Sequence, residues 1–286
     1  MQPLLQDHNR IGIVGLGLIG GSLALDLQHL GHKVYGVAHR PLTVERAKER
    51  GLAEVISTDY KILTNCSIVI LALPLSQLIK PTKELINALP KQAIITDVGS
   101  VKAPIQAIWN KLHPRFIPSH PMAGTAKTGV EAGQKNLFEG RPWITTPCKD
   151  TDNRALEIVQ NLAISIGSKF IVIDAETHDK AVALISHLPL LVSAALLKTV
   201  AENTDSSLLS LSKVLASSGF SDTTRVGGGN PKLGVDIAKN NSQALLKALY
   251  SYRQSIEKLE ALVESKQWEE LQKELEQSQA QRPEFL

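Results

Sequence analysis

The chain is short of cysteine, short of aromatic residues and nearly neutral, and each shortage excludes something. Only Cys66 and Cys148 occur in 286 residues, one just before an apolar run and the other after a proline. Two cysteines so placed suggest neither a disulfide framework nor a zinc site, so no metal is expected and a reducing compartment is the simplest setting. Phe, Trp and Tyr make up 4% of the chain and the formal net charge is only +3. Lysine and arginine are spread along the sequence and not gathered into a stripe with interleaved aromatics, which argues against a nucleic-acid partner. The opening MQPLLQDHNR lacks a basic flank followed by a signal-peptide core. No window of about eighteen residues is apolar throughout, so no membrane span is expected and the protein reads as cytoplasmic. Internal repeats and low-complexity linkers are absent as well.

What remains is a composition of 43% hydrophobic and 21% charged residues, enough for a substantial core in one large domain or two ordinary ones. Up to about residue 173, apolar, β-branched runs at 11–14, 33–38, 68–73, 93–98, 116–119, 143–146 and 169–173 alternate with helix-like stretches at 21–30, 43–50, 78–88 and 153–166. Strands apolar on both faces, alternating with helices, indicate a parallel sheet covered on both sides. After Asp174 the texture becomes helical. The stretch 177–200 is almost continuously apolar after Ala181 and carries Pro189, which should kink it. A helix apolar all round belongs in a helical core or at a dimer interface. The expected fold is therefore α/β: a Rossmann-type domain over 1–174, followed by an all-helical domain over 175–286 whose apolar stretch suits a core or a dimer interface.

The glycine pattern supports the first half of that reading. GLGLIG over 15–20 places G-x-G-x-x-G directly after a strand and at the start of a helix. Gly15 permits the tight turn, Gly17 lets the backbone approach a pyrophosphate, and Gly20 allows close helix–strand packing; Leu18 and Ile19 lie between them at the helix start, where phosphates are attracted. A lone pattern of this kind is weak, but here strand, turn, helix and second strand follow in order. The second strand ends Ala38-His39-Arg40, with no acid where NAD binders usually place one. A guanidinium can pair with a 2′-phosphate that a carboxylate would repel, so Arg40, with His39 and Thr43, favours NADP. Thr43 is equally plausible as a helix N-cap.

Two segments stand where a doubly wound sheet puts its chemistry, beyond the carboxyl ends of strands: TDVGSVK at 96–102 and PSHPMAGT at 118–125. A neutral imidazole at His120 can accept a hydroxyl proton while hydride leaves carbon, and Ser100 could orient it or bond the same oxygen.

The run GLGLIGGS, LALP, DVGSVK, SHPMAGT, SHLP and DTTRVGGGNP, in that order across nearly the whole chain, resembles the prephenate/arogenate dehydrogenase family. The resemblance implies a Rossmann domain and a helical dimerisation domain that together oxidatively decarboxylate prephenate or arogenate in tyrosine biosynthesis. It places Leu73 and Pro74 of LALP beside the cofactor, His120 as the catalytic histidine and Ser100 as its partner. It also places Arg225 on a substrate carboxylate, His187 in the site from the helical domain, and Thr125 in the adjoining loop. Two departures bear on the substrate. Ala126 stands where prephenate-using relatives can carry an acid, and Leu190 where some carry a second histidine. The whole string is most similar to cyanobacterial, NADP-linked arogenate enzymes, so arogenate with NADP is expected, with prephenate as the alternative. A β-hydroxyacid-type dehydrogenase would need Lys180 or Lys198 as its base, without a recognisable pattern around either. A non-catalytic NADP-binding sensor would keep the glycines but could dispense with His120 and Arg225.

Overall fold

The computed structural model describes residues 9–125 and 127–285. Strands β1 (Arg10–Val14), β2 (Lys33–Val37), β3 (Val55–Ser57), β4 (Ile68–Leu71), β5 (Ile94–Asp97) and β6 (Phe116–Ile117) form one parallel sheet in the order β3-β2-β1-β4-β5-β6. This is the doubly wound order that creates a crevice at the strands' carboxyl ends. Because successive side chains point to opposite faces, Ile68 and Ile70 enter one core with Ile11, Leu23 and Leu27. Val69 and Leu71 enter the other, with Ile95 and Trp109. All four residues of β4 are buried, as a central strand covered by helices requires.

Helices α1 (Leu18–His29), α2 (Pro41–Glu49), α3 (Leu75–Ile79), α4 (Lys83–Ala88), α5 (Ala103–Leu112) and α6 (Asn153–Ser165) belong to this half. The stretch expected as one helix over 78–88 is two, separated by a segment containing Pro81, which has no N–H to give. The expectation of a single parallel sheet also needs correction. The chain leaves the large sheet after Ile117, and β7 (Ser119–Pro121), β8 (Pro142–Thr145) and β9 (Lys169–Val172) form a separate three-stranded sheet. In it β7 runs antiparallel to β8, with His120 opposite Ile144.

The helical half consists of α7 (Ala175–Val182), a π-helical segment (Ala183–His187), α8 (Leu188–Ala201), α9 (Ser206–Leu215), α10 (Ser218–Thr224), α11 (Pro231–Asn240), α12 (Ser242–Glu264) and α13 (Trp268–Gln281). The irregularity expected at Pro189 is present as the π turn immediately before it, a form that recurs at functional sites. The run Ala175–Ala201, 27 residues with a hydropathy of 1.8 in its most apolar window, is long and apolar enough to cross a membrane by length and composition. Scattered polar residues interrupt the run, which is therefore not apolar throughout, and the core helix of a soluble protein passes the same test. Nor is it enclosed on all sides: Leu184 and Ile185 are 55% and 58% exposed.

Candidate active site

Backbone constraints shape the glycine turn. Gly15 has φ +99°, and a Cβ there would stand 2.2 Å from the Ala72 carbonyl oxygen. A Cβ on Gly20 would stand 1.9 Å from the carbonyl oxygen of Gly15. At Gly17 the same construction meets nothing within 4 Å, so that side of the turn faces open space. Gly17 is also the N-cap of α1 and supplies no side-chain cap, which leaves first-turn N–H groups for an external acceptor. These residues fit a pyrophosphate on the helix N-terminus. Leu18 and Ile19 begin that helix, and Leu73 and Pro74 follow β4, with Pro74 as N-cap of α3.

At the end of β2, His39 and Arg40 are exposed, and Arg40 has no ion pair among the described residues. Arg40 is itself the N-cap of α2 and Pro41 follows at its first position. Thr43 therefore sits inside the first turn, which removes the N-cap alternative and leaves its hydroxyl available.

Beyond β5 lies a buried ionic lock. Lys102, fully buried, pairs its ammonium with Asp97 and also donates to the Ser119 carbonyl at 2.6 Å. Asp97 accepts from Gly99 N–H at 2.8 Å and Ser119 N–H at 3.0 Å. Thr96 Oγ1 donates to the Ile117 carbonyl at 2.7 Å. The ends of β5 and β7 are thereby clamped together, which fixes the backbone carrying His120. Burial pulls the Lys102 ammonium below its ordinary range, against the opposing attraction of Asp97 and Asp179.

His120 is only partly exposed. Its Nδ1 lies 2.9 Å from Nε2 of His178, and His178 Nδ1 lies 2.7 Å from Asp179 Oδ1. Asp179 also accepts from the backbone N–H of Lys102 at 2.7 Å and of Ala103 at 2.9 Å, at the start of α5. Burial is the largest influence holding His120 well below the ordinary histidine range, followed by the charges of His178, Lys102 and His187. His187 is 2% exposed, in the π segment. Its Nδ1 is 3.2 Å from the Asn241 amide nitrogen, which also donates to the Asp179 carbonyl at 2.7 Å. Its Nε2 is buried without a hydrogen-bond partner. Burial pushes the His187 imidazole down to about 4.

The structure brings His120 and His187 into one electrostatic neighbourhood and adds His178, Asp179 and Asn241, which sequence reasoning missed. Their only signal was a His-Asp pair at the head of an apolar helix. Ser100 lies on the loop between β5 and α5 and makes no side-chain hydrogen bond among the described residues; the ring partner of His120 is His178. Arg225 is exposed at the end of α10 and has no ion pair among the described residues. The loop after it is pinned by Gly227, whose N–H donates to Ser193 Oγ at 2.7 Å. Leu190 faces Gly234 of α11, where a Cβ would come within 3.3 Å of its side chain. Thr125 is exposed and accepts from Lys127 N–H at 3.2 Å. It borders a cleft of about 350 Å³ with Gln134, Asn136, Glu139 and Arg141 that includes neither His120 nor the glycine turn. Ala126 lies outside the described residues.

Two family models match the chain: "Prephenate dehydrogenase, nucleotide-binding domain" over residues 23–172 and "Prephenate dehydrogenase, dimerization domain" over residues 174–277. A prephenate dehydrogenase of Bacillus subtilis (strain 168) is 31% identical over 273 residues, covering 93% of this chain and 73% of that protein. The crystal structure of Synechocystis arogenate dehydrogenase superposes with a TM-score of 0.81 at 42% identity, over 97% of this chain and 100% of that one. Prephenate dehydrogenase from A. aeolicus, in complex with hydroxyphenyl propionate and NAD+, superposes with a TM-score of 0.90 at 31% identity, over 97% and 98%.

Proposed function

The chain belongs to the prephenate dehydrogenase family, and from that premise we propose that it oxidatively decarboxylates L-arogenate to L-tyrosine with NADP+ as hydride acceptor. The observation that carries the reading is the condition of His120, with one ring nitrogen engaged by His178 and the other left for a substrate oxygen. Bound at the glycine turn, NADP+ supplies an acceptor for the hydride that leaves the hydroxyl-bearing ring carbon. Nε2 of His120 takes the hydroxyl proton as the carbonyl forms. The ring carboxylate then leaves as CO₂, its bonding pair completes the aromatic ring, and His120 returns the proton to the phenolate oxygen. One hydride and one CO₂ are lost, with no net proton change on the enzyme. Ser100, whose hydroxyl is not committed elsewhere, bonds the same substrate oxygen. His187, with its buried and unpartnered Nε2, lines the site from the helical domain. Arg225 meets the side-chain carboxylate through its fork, and Thr125 adjoins that end of the substrate.

Arogenate is favoured over prephenate by the extent of the likeness to the Synechocystis enzyme and by Leu190, an apolar residue where some relatives carry a second histidine. Prephenate, yielding 4-hydroxyphenylpyruvate, is the second reading, supported by the names of the family models and of the Bacillus relative. NADP is favoured over NAD by the exposed, unpaired Arg40 where an acid would hold a ribose hydroxyl. We divide the protein into a nucleotide domain, 1–174, and a helical domain, 175–286, through which two copies pair in the cytoplasm. Replacement His120→Asn tests the base directly. It should lower kcat by about a hundredfold to ten-thousandfold while leaving the Kd for NADP+ nearly unchanged. Retention of wild-type turnover would remove His120 from the chemistry.

A further inference from the structure

The reaction assigned above needs His120 in one tautomer, with a bare nitrogen toward the substrate, and no described residue of the nucleotide domain hydrogen-bonds its ring to set that choice. The helical domain does. Asp179, as a carboxylate, can only accept hydrogen bonds, and it accepts them at the head of α5 from Lys102 and Ala103 as well as facing Nδ1 of His178. The proton of neutral His178 is therefore on Nδ1, and its Nε2 carries a lone pair. Across 2.9 Å, that lone pair faces Nδ1 of His120, which must then be the protonated nitrogen of its own ring. Two rings and a carboxylate in series leave Nε2 of His120 without a proton.

We propose that Asp179 and His178 are positioning residues that fix the tautomer of His120 and stabilise it once protonated, so that the helical domain arms a base borne by the nucleotide domain. The inference rests on the reading of His120 as the base. It extends that reading by giving the apolar helix a chemical duty beyond packing. The other charged or titratable groups around the pair are Lys102, whose ammonium is turned to Asp97, and His187, whose Nδ1 is held by Asn241. Asn241 also anchors the backbone carbonyl of Asp179, while the carboxylate is held by the N–H groups of Lys102 and Ala103. A purely structural His-Asp pair that docks one domain on the other would explain the burial. It would not require the rings to be joined nitrogen to nitrogen with the acid at the far end.

The substitution Asp179→Asn separates these roles. An asparagine oxygen in the place of Oδ2 can still accept from Ala103 N–H, while its amide, in the place of the Oδ1 that serves both Lys102 N–H and His178, gives up the Lys102 bond, donates to Nδ1 of His178 and moves that ring's proton to Nε2. His120 must then accept at Nδ1 and carry its own proton on Nε2, facing the substrate. In ¹⁵N spectra of histidine-labelled protein at neutral pH, Nε2 of His120 should give a pyridine-like signal in the wild type and a pyrrole-like one in the variant. Activity should follow, with kcat lowered by about a hundredfold to ten-thousandfold and KM for the substrate changed by no more than a few-fold. Should Asp179→Asn not fold, His178→Phe keeps a packed ring without the acceptor and should give a mixed His120 signal with a comparable loss of kcat. A pyrrole-like Nε2 already present in the wild type, or a tautomer unmoved by both substitutions, would overturn the relay. Because the spectra need no turnover, a wild type with the expected tautomer that oxidises neither arogenate nor prephenate would sink the proposed activity and leave the relay standing.

Discussion

As the proposed base, His120 has to be unprotonated at neutral pH, and its surroundings favour that state. Burial disfavours the imidazolium most, the Lys102 ammonium opposes it as well, and a proton on His178 or His187 would oppose it further. The sign is simple. A pKa below the ordinary histidine value of about 6.5 means the ring stays neutral, and active, as pH falls through that value. The acid limb of kcat/KM should therefore lie below pH ~6.5. A limb at or above that value would contradict the assignment. Individual residues differed in how readable they were. Gly15 and Gly20 declare themselves because a side chain would collide with backbone 2.2 Å and 1.9 Å away, a constraint that only glycine meets. Asp97 and Lys102 are both visible in DVGSVK, yet their pairing depends on the chain turning back past β5. His178 was unreadable for a different reason. It lies 58 residues from His120 on a helix whose pattern speaks only of packing, and the contact exists only after the domains meet.

Elements were legible where one physical signal dominated. The four central strands of the large sheet are buried apolar runs, and such runs cannot sit elsewhere in a protein of this composition. Strand β3 went unseen because three residues with an exposed Val55 leave no pattern. Helix α5 was likewise overlooked, its amphipathic turns hidden behind a motif that drew attention to chemistry. The switch of sheets between Ile117 and Ser119 cannot be read from hydropathy, since both short strands are apolar or buried; Pro118, which cannot donate to a ladder, is its one trace. The helical run over 175–201 is the most instructive element. Only 22% of its most apolar window is buried within one chain, while its polar head, His178 and Asp179, is tied into the nucleotide domain. An apolar surface of that kind, in a segment matched by a dimerization-domain model, calls for a second copy. Sedimentation equilibrium at micromolar concentration should accordingly return twice the 31.1 kDa of the chain. A species of single-chain mass would contradict the proposed pairing.

For the molecule as a whole, the proposed reaction draws on both halves. The large sheet offers a seat for the dinucleotide and, through the Asp97–Lys102 lock, a rigid strand end for His120. The helical half supplies Asp179 to the head of α5, His178 to the base, and His187 with Asn241 beneath them. Family membership, cofactor class and the two-part architecture were all legible in the order of the motifs. The joint between the parts was not, because it is made of residues that belong to no motif and meet only in three dimensions. What the fold leaves to be measured is the choice of partners at that joint. Initial rates of the purified protein with L-arogenate and with prephenate, each against NADP+ and NAD+, test that choice most directly. The highest kcat/KM should belong to L-arogenate with NADP+. A higher value for prephenate or for NAD+ would contradict the assignment, and no reduced cofactor with any pairing would remove the enzyme.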